Sequence, residues 1–179
     1  MLEREIKLRF DTPEQARAAI AAARATLLRP RRLQHDILFD TADEQLRRQG
    51  CALRLRHEND CGIVTFKGPV VPSMMKLRPE HETAVASPAA MRQVLEGLGF
   101  VAWFTYEKYR EEYALPGVVI AVDETPIGTF VEVEGTEADI LTAVQLLGRT
   151  PDAFVLASYR SLFVEQRGPE GGDMVFPLR

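Results

Sequence analysis

Like charges stand two residues apart at several places in this sequence, among them Glu3 with Glu5, Arg54 with Arg56, Lys108 with Arg110, and Glu132 with Glu134. Side chains two apart on a strand point the same way, so each pair, if extended, sets like charge beside like charge on one face. On a plain solvated sheet that gains nothing and repels slightly, although the wet side of an ordinary antiparallel sheet is the alternative reading. Binding gives the pattern a purpose. Clusters of carboxylates hold hard divalent cations through oxygen, and clusters of arginine and lysine meet phosphate oxygens, so the two together suit a metal–polyphosphate ligand.

No other chemistry competes with this one. The sequence has no Ser/His/Asp or Cys/His constellation, and His35, His57 and His81 carry no motif, which makes them surface or strand residues rather than ligands. Cys51 and Cys61 are too few for a disulfide framework and lack the paired spacing of a zinc site, so both read as reduced packing residues.

The elements that must position the charges are mostly strands. Period-two alternation places strands near Leu2–Phe10, Leu33–Phe39, Cys51–Glu58, Cys61–Lys67, Lys76–Val85, Phe104–Tyr113, Val118–Glu124 and Thr129–Gly135. Parity then sorts the charge. Glu3, Glu5, Lys7 and Arg9 oppose Arg4, Ile6, Leu8 and Phe10; Lys67 goes with Thr65 against Val64 and Phe66; Lys76, Arg78, Glu80 and Glu82 share one side, as do Lys108, Arg110 and Glu112. Two-residue turns at Asn59-Asp60, Pro116-Gly117 and Pro126-Ile127 would set Arg54 opposite Thr65, Arg110 opposite Asp123 and Ala121 opposite Glu132. These registers gather the charges on one surface.

Helices are expected at three capped, amphipathic stretches: Pro13 to about Ala25 after Thr12, Pro88 to Gly99 after Ser87, and the run from Thr136 to Gly148. Two shorter ones are expected at Ala42–Gln49 and Ser158–Phe163. If the strands close, these helices pack on the apolar outer face and the charged face becomes a lumen. The fold class is therefore α+β, an antiparallel eight-stranded closed barrel. A chain of 179 residues, 46% hydrophobic, suits one core. The expected domain is residues 1–165, with the Gly/Pro-rich stretch 166–179 as a tail.

Bulk charge, 22 Lys+Arg against 26 Asp+Glu, gives no basic excess to attract nucleic acid. No apolar run approaches a membrane span, and the start Met-Leu-Glu-Arg-Glu is unlike a signal peptide, so no membrane partner and a cytoplasmic location are expected.

The order of motifs resembles the CYTH superfamily, the triphosphate tunnel metalloenzymes. Glu3-Arg-Glu5-Ile-Lys7 has the Glu-x-Glu-x-Lys form, and Phe39-Asp40-Thr41, Leu53-Arg54-Leu55-Arg56, Thr65-Phe66-Lys67-Gly68-Pro69, Arg78-x-Glu80-x-Glu82, Lys108-x-Arg110, Asp123, Glu132-x-Glu134 and Ser158-Tyr159 follow in order. The resemblance implies an eight-stranded tunnel in which Lys7, Arg54, Arg56, Lys67, Lys108 and Arg110 bind a triphosphate. It implies Mg²⁺ or Mn²⁺ on Glu3, Glu5, Glu132 and Glu134 with Asp123 nearby, Glu80 and Glu82 as lesser acidic candidates, and a catalytic set of Glu5, Lys67 and Asp123. The implied partner is a small-molecule triphosphate, with a homodimer left open. The activity it implies is hydrolysis of tripolyphosphate or a related triphosphate; a class IV adenylyl cyclase and a non-catalytic polyphosphate-binding module are the other readings. At one position the sequence departs: Leu38 stands where many relatives carry tyrosine, so no phenol's role is assigned there. Trp103 and Phe104 could stack a ligand's ring or simply pack.

Overall fold

The computed structural model describes residues 2–59 and 61–177. Eight strands form one closed antiparallel barrel: β1 (Leu2–Phe10), β2 (Thr26–Thr41), β3 (Ala52–Glu58), β4 (Cys61–Lys67), β5 (Lys76–Val85), β6 (Phe100–Leu115), β7 (Val118–Thr125) and β8 (Gly128–Gly135). Around the barrel the order is β1-β5-β4-β3-β2-β6-β7-β8. Closure leaves no free edge along the paired lengths, which removes the template for aggregation that an open charged sheet would present.

The turns set the registers as their chemistry requires. Gly117 takes φ +77, the left-handed conformation the third position of a type II turn needs, and a Cβ there would also collide with the Asp139 carboxyl group. The resulting pairs are Arg110 with Asp123 and Glu112 with Ala121 across β6 and β7, and Ala121 with Glu132 and Val119 with Glu134 across β7 and β8. Between β3 and β4 the pairs are Arg54 with Thr65 and Arg56 with Ile63. Asp60, the second residue of that expected turn, lies outside the described residues.

Five helices pack against the barrel: α1 (Pro13–Ala22), α2 (Gln45–Arg48), α3 (Pro88–Gly97), α4 (Glu137–Leu146) and α5 (Tyr159–Arg167). Thr12, Ser87, Thr136 and Ser158 each accept a hydrogen bond from a backbone N–H in the first turn of α1, α3, α4 and α5, satisfying a donor the helix cannot. Helix α2 is capped from a distance. Asp40 accepts from the backbone N–H of Leu46 at 2.9 Å and Arg47 at 3.0 Å, and Thr41 accepts from Gln45 at 3.0 Å, so the Asp-Thr pair of the motif fixes a corner.

Apolar residues of β1, β7 and β8, including Ile6, Leu8, Ile120, Val131 and Val133, form a core with Ile20 of α1 and Ile140 and Val144 of α4. A smaller core joins Phe39, Leu53 and Leu55 to Leu95 of α3. A third gathers Phe104, Tyr106, Phe130, Tyr159, Phe163 and Met174.

Two elements are longer than the alternation implies. Strands β2 and β6 each run 16 residues, and their pairing shifts register between Leu27 and Arg29 and between Arg29 and Arg32, where Pro30 and successive arginines hide the period. The other difference is at the C-terminus. Helix α5 passes the expected boundary at 165 and ends at Gly168, and the Gly/Pro-rich segment then docks beside β6. Met174 donates to Thr105 O at 2.9 Å, its carbonyl accepts from Glu107 at 2.9 Å, and its side chain is fully buried. The segment covers a stretch of β6 before Tyr109, where the pairing with β7 begins. Truncation of Met174 to alanine should therefore cost about 2–5 kcal/mol, as for other buried methionines. Chemical denaturation checks this, and an unchanged midpoint would show the segment to be loosely attached.

Candidate active site

The charged face lines a cavity of about 1470 Å³. Alternation along six strands supplies its charged wall: Glu3, Glu5 and Lys7 from β1, Arg54 and Arg56 from β3, Lys67 from β4, Lys76, Arg78, Glu80 and Glu82 from β5, Lys108, Arg110 and Glu112 from β6, and Glu132 and Glu134 from β8. Arg9 leaves this row, is exposed, and lies over the Phe130 ring with its guanidinium carbon 4.7 Å from the centroid.

Like-charged bases can be buried together here because two aspartates stand behind them. Asp123, with no exposed surface, accepts from Lys108 Nζ at 2.8 Å, from Arg110 at 2.7 and 2.5 Å, and from the Tyr159 hydroxyl at 2.6 Å. Asp36, equally buried, accepts from Arg56 at 2.9 and 3.2 Å and lies 3.5 Å from Arg54. On the opposite side Lys67 Nζ lies 2.7 Å from both Glu3 oxygens and 2.6 Å from Glu80, and Lys76 lies 2.6 Å from Glu5. Lys7 is 3.3 Å from Glu132 and 3.6 Å from Glu5, and Arg110 also reaches Glu132.

Burial and neighbours pull the ionisations apart. Burial pushes Glu3 up to about 8, helped by its hydrogen bond with Glu80 and by the charge of Glu5. Burial acts against ionised Glu80 too, yet that hydrogen bond and Lys67 lower it. For Glu5 burial is outweighed by Lys7, and the carboxyl falls to about 2. Burial and then Arg110 bring Lys108 down to about 8, against the pull of Asp123. Glu134 is raised by burial and by Glu5 and Glu80.

The sequence matches the CYTH domain family over residues 1–147. The chain belongs to that family. An archaeal relative from Methanocaldococcus jannaschii, named provisionally as an adenylate cyclase, is 30% identical over 141 residues, covering 78% of this chain and 80% of its own length. Among solved structures, a provisionally named adenylate cyclase from Vibrio parahaemolyticus superposes with TM-score 0.79 at 17% identity, covering 91% of this chain and 98% of that one. A Hippeastrum protein described as an adenylyl cyclase candidate with a dominant triphosphatase activity superposes with TM-score 0.69 at 23% identity, covering 92% and 96%.

In this CYTH barrel the six expected phosphate-binding bases all line one cavity with Glu3, Glu5, Glu132 and Glu134. Asp123 stands apart from those four, since its carboxylate lies behind Lys108, Arg110 and Tyr159 and its oxygens are already engaged. Arg78, part of the expected motif, donates to the carbonyls of Gly68, Gly50 and Lys67 and so holds a corner of the backbone. Leu38 lies at the cavity beside Trp103, and phenols enter from elsewhere: Tyr106 on β6, and Tyr159, whose ring centroid is 5.2 Å from Lys7 Nζ and 5.1 Å from Lys108 Nζ. Asp36 went unassigned in the sequence, although it alternates with Ile37 and Phe39 inside an expected strand and parity alone puts it inside.

A divalent cation suits the donors but not their present pairing. Among the described residues no three are already gathered as a metal site, because Glu3, Glu5 and Glu132 each face a lysine or arginine. The set is all carboxylate oxygen, and Glu134 pairs in register with Glu5 while no hydrogen bond or ion pair with another described residue holds it. Burial first, and then the charges of Glu5 and Glu80, raise its carboxyl, so it stands among like charges.

Removing one buried anion should test how the bases are held. Asp36→Asn leaves Arg56 without its counter-ion and Arg54 with Glu82 alone, and is expected to destabilise the protein by about 3–5 kcal/mol. Thermal denaturation measures this, and a loss below about 1 kcal/mol would mean that solvent already screens the pair.

Proposed function

We propose that this protein is a divalent-metal-dependent hydrolase of a small triphosphate held in the barrel lumen. One observation carries the reading: six bases converge from β1, β3, β4 and β6 onto the same cavity as four carboxylates from β1 and β8. CYTH tunnel enzymes use divalent metals, and the fold hosts triphosphatase activity in the Hippeastrum neighbour.

Phosphoryl transfer asks little covalent chemistry of a protein and much positioning. Arg54, Arg56, Lys108 and Arg110 would grip the phosphate chain, held in place by Asp36 and Asp123 behind them. Lys7 and Lys67 would grip it from the other side. Glu3, Glu5, Glu132 and Glu134 would hold Mg²⁺ or Mn²⁺, which supplies charge neutralisation and a more acidic bound water. In this assignment Asp123 is a positioning residue, since it touches bases rather than the cavity. Tyr159, anchored to it, would fix the two lysines beside the chain.

The second reading, a class IV adenylyl cyclase, is favoured by the name of the Methanocaldococcus relative. It uses the same groups with the ribose hydroxyl as nucleophile. Incubation with tripolyphosphate, thiamine triphosphate and ATP, with Mg²⁺ or Mn²⁺, separates the two. Orthophosphate release supports hydrolysis, cyclic AMP with pyrophosphate supports the cyclase, and binding without turnover defeats both.

Glu132→Gln and Glu134→Gln are expected to lower turnover about a hundredfold or more while sparing the fold. Unchanged turnover across a metal titration in both variants would remove the metal assignment.

A pH effect follows from Lys108. With its folded-state pKa near 8, it has lost much of its charge above that pH in the empty protein. A bound polyanion favours the charged form, so binding takes up a proton above pH 8 and affinity falls as pH rises. Calorimetry of tripolyphosphate binding at pH 8.5, about half a unit above that pKa, in chelator and in buffers of different ionisation enthalpy, should show net uptake. Net release would contradict the placement of Lys108 at the phosphates.

A further inference from the structure

Lys76 is a base of the lumen that the phosphate-binding set leaves out. It shares a side of β5 with Arg78, Glu80 and Glu82, lines the cavity, and has a side chain only 12% exposed. Arg78 is tied to backbone carbonyls, whereas Lys76 donates from Nζ to Glu5 Oε1 at 2.6 Å.

That carboxylate stands in an acidic row. Glu5 pairs in register with Lys76 on β5 and with Glu134 on β8, so the three lie level across adjacent strands, and Glu132 follows on the same face of β8. Side chains directly opposite one another on one face are roughly 5 Å apart at Cβ, and like charges so placed destabilise a sheet. Without a cation among them these carboxylates would repel. Lys7 also approaches Glu5 Oε1, at 3.6 Å, but it is held elsewhere as well, 3.3 Å from Glu132 and with its Nζ 5.2 Å from the centre of the Tyr159 ring. The hydrogen bond that holds Lys76 is the one to Glu5.

A divalent cation needs the same atoms. Hard cations bind through carboxylate oxygen, so an ammonium on Oε1 covers one donor and stands beside any cation that takes the other, where like charges repel. The four-carbon stem of lysine is flexible and its charge compact, which lets the ammonium move off without disturbing the strand. The position thus suits two cations in turn, one resident and one arriving.

We infer, on the reading of Glu5 as a metal ligand, that Lys76 is a placeholder for the metal: in the empty barrel it neutralises Glu5, and it gives way when a divalent cation binds. It therefore sets how tightly the lumen takes metal before substrate. Lys76 is a positioning residue in this role, acting on the reaction only through Glu5.

The test is calorimetry of Mn²⁺ and of Mg²⁺ binding without any phosphate ligand, on the wild type and on Lys76→Met, Lys76→Gln and Lys76→Arg. Methionine and glutamine remove the charge at two different sizes, so that one misfolded variant does not decide the outcome, and arginine keeps the charge. The Met and Gln variants should bind metal about tenfold more tightly or better, because a competing cation is gone, while the Arg variant stays near the wild type. In chelator the Met and Gln variants should melt below the wild type, and saturating Mn²⁺ should close the gap, since a ligand that binds the native state stabilises it. A purely structural ion pair would also lower the melting point but would not tighten metal binding. Metal affinity that is unchanged or weaker in the Met and Gln variants overturns the placeholder, as does an Arg variant that binds as tightly as they do. Metal bound only with tripolyphosphate present, and equally by all four proteins, overturns it while leaving Glu5 as a ligand. Absence of metal binding in all four, with and without tripolyphosphate, overturns the metal reading itself.

Discussion

Lys108, Arg110 and Tyr159 all donate to one carboxylate, that of Asp123, and Arg54 and Arg56 share another, that of Asp36. Taking a cation out of water costs several kcal/mol, and several like cations side by side cost more, so this lumen exists only because those two anions are buried with it. The rest of the structure serves that requirement. The aspartates must be inaccessible, which needs a closed wall on strands of correct register. The wall in turn needs an apolar outside, supplied by α1, α3 and α4 on the backs of the same strands.

Paired charges also change what the empty barrel is like. Counting bases alone suggests a lumen under strong mutual repulsion. The ion pairs show otherwise: Lys67 with Glu3 and Glu80, Lys76 with Glu5, and Lys7 with Glu132 come close to neutralising it. A polyanion entering here would not relieve a bare positive field. It would exchange partners, taking lysines and arginines from glutamates and leaving carboxylate oxygens for a cation. Substrate and metal would thus make room for each other, a physical reason for both charge signs to share one cavity.

Much of this was legible in the sequence because strand parity and turn chemistry are local. Pro116-Gly117 and Pro126-Ile127 fix two registers, and those two place Lys108, Arg110, Glu112, Asp123, Glu132 and Glu134 on one surface without long-range information. What parity cannot give is depth. Asp123 and Glu132 share a face, yet one is sealed behind the bases and the other lines the cavity, a difference made by side-chain direction and by Tyr159 arriving from a distant helix. Nor could local reading find the docking of Met174. The Gly/Pro-rich run before it has no period, and its partners on β6 are about seventy residues away, so only the fold shows that an apolar residue there is buried.

Leu38 illustrates how a position can help to build a site without carrying its chemistry. A sequence motif treats positions as fixed slots, and on that view the loss of a phenol at 38 is a loss of chemistry. The barrel is a closed surface in which any inward side chain at the right height is a neighbour. Tyr106 pairs with Asp36 across β2 and β6, and Tyr159 reaches in from α5, so two phenols stand among the bases, Tyr159 within about 5 Å of two lysines. Leu38 instead packs with Trp103 in the aromatic cluster around Phe104 and Phe163, the cluster that seats α5. An apolar side chain at 38 therefore helps to hold the helix that delivers Tyr159, and the position keeps a part in building the site without touching its chemistry.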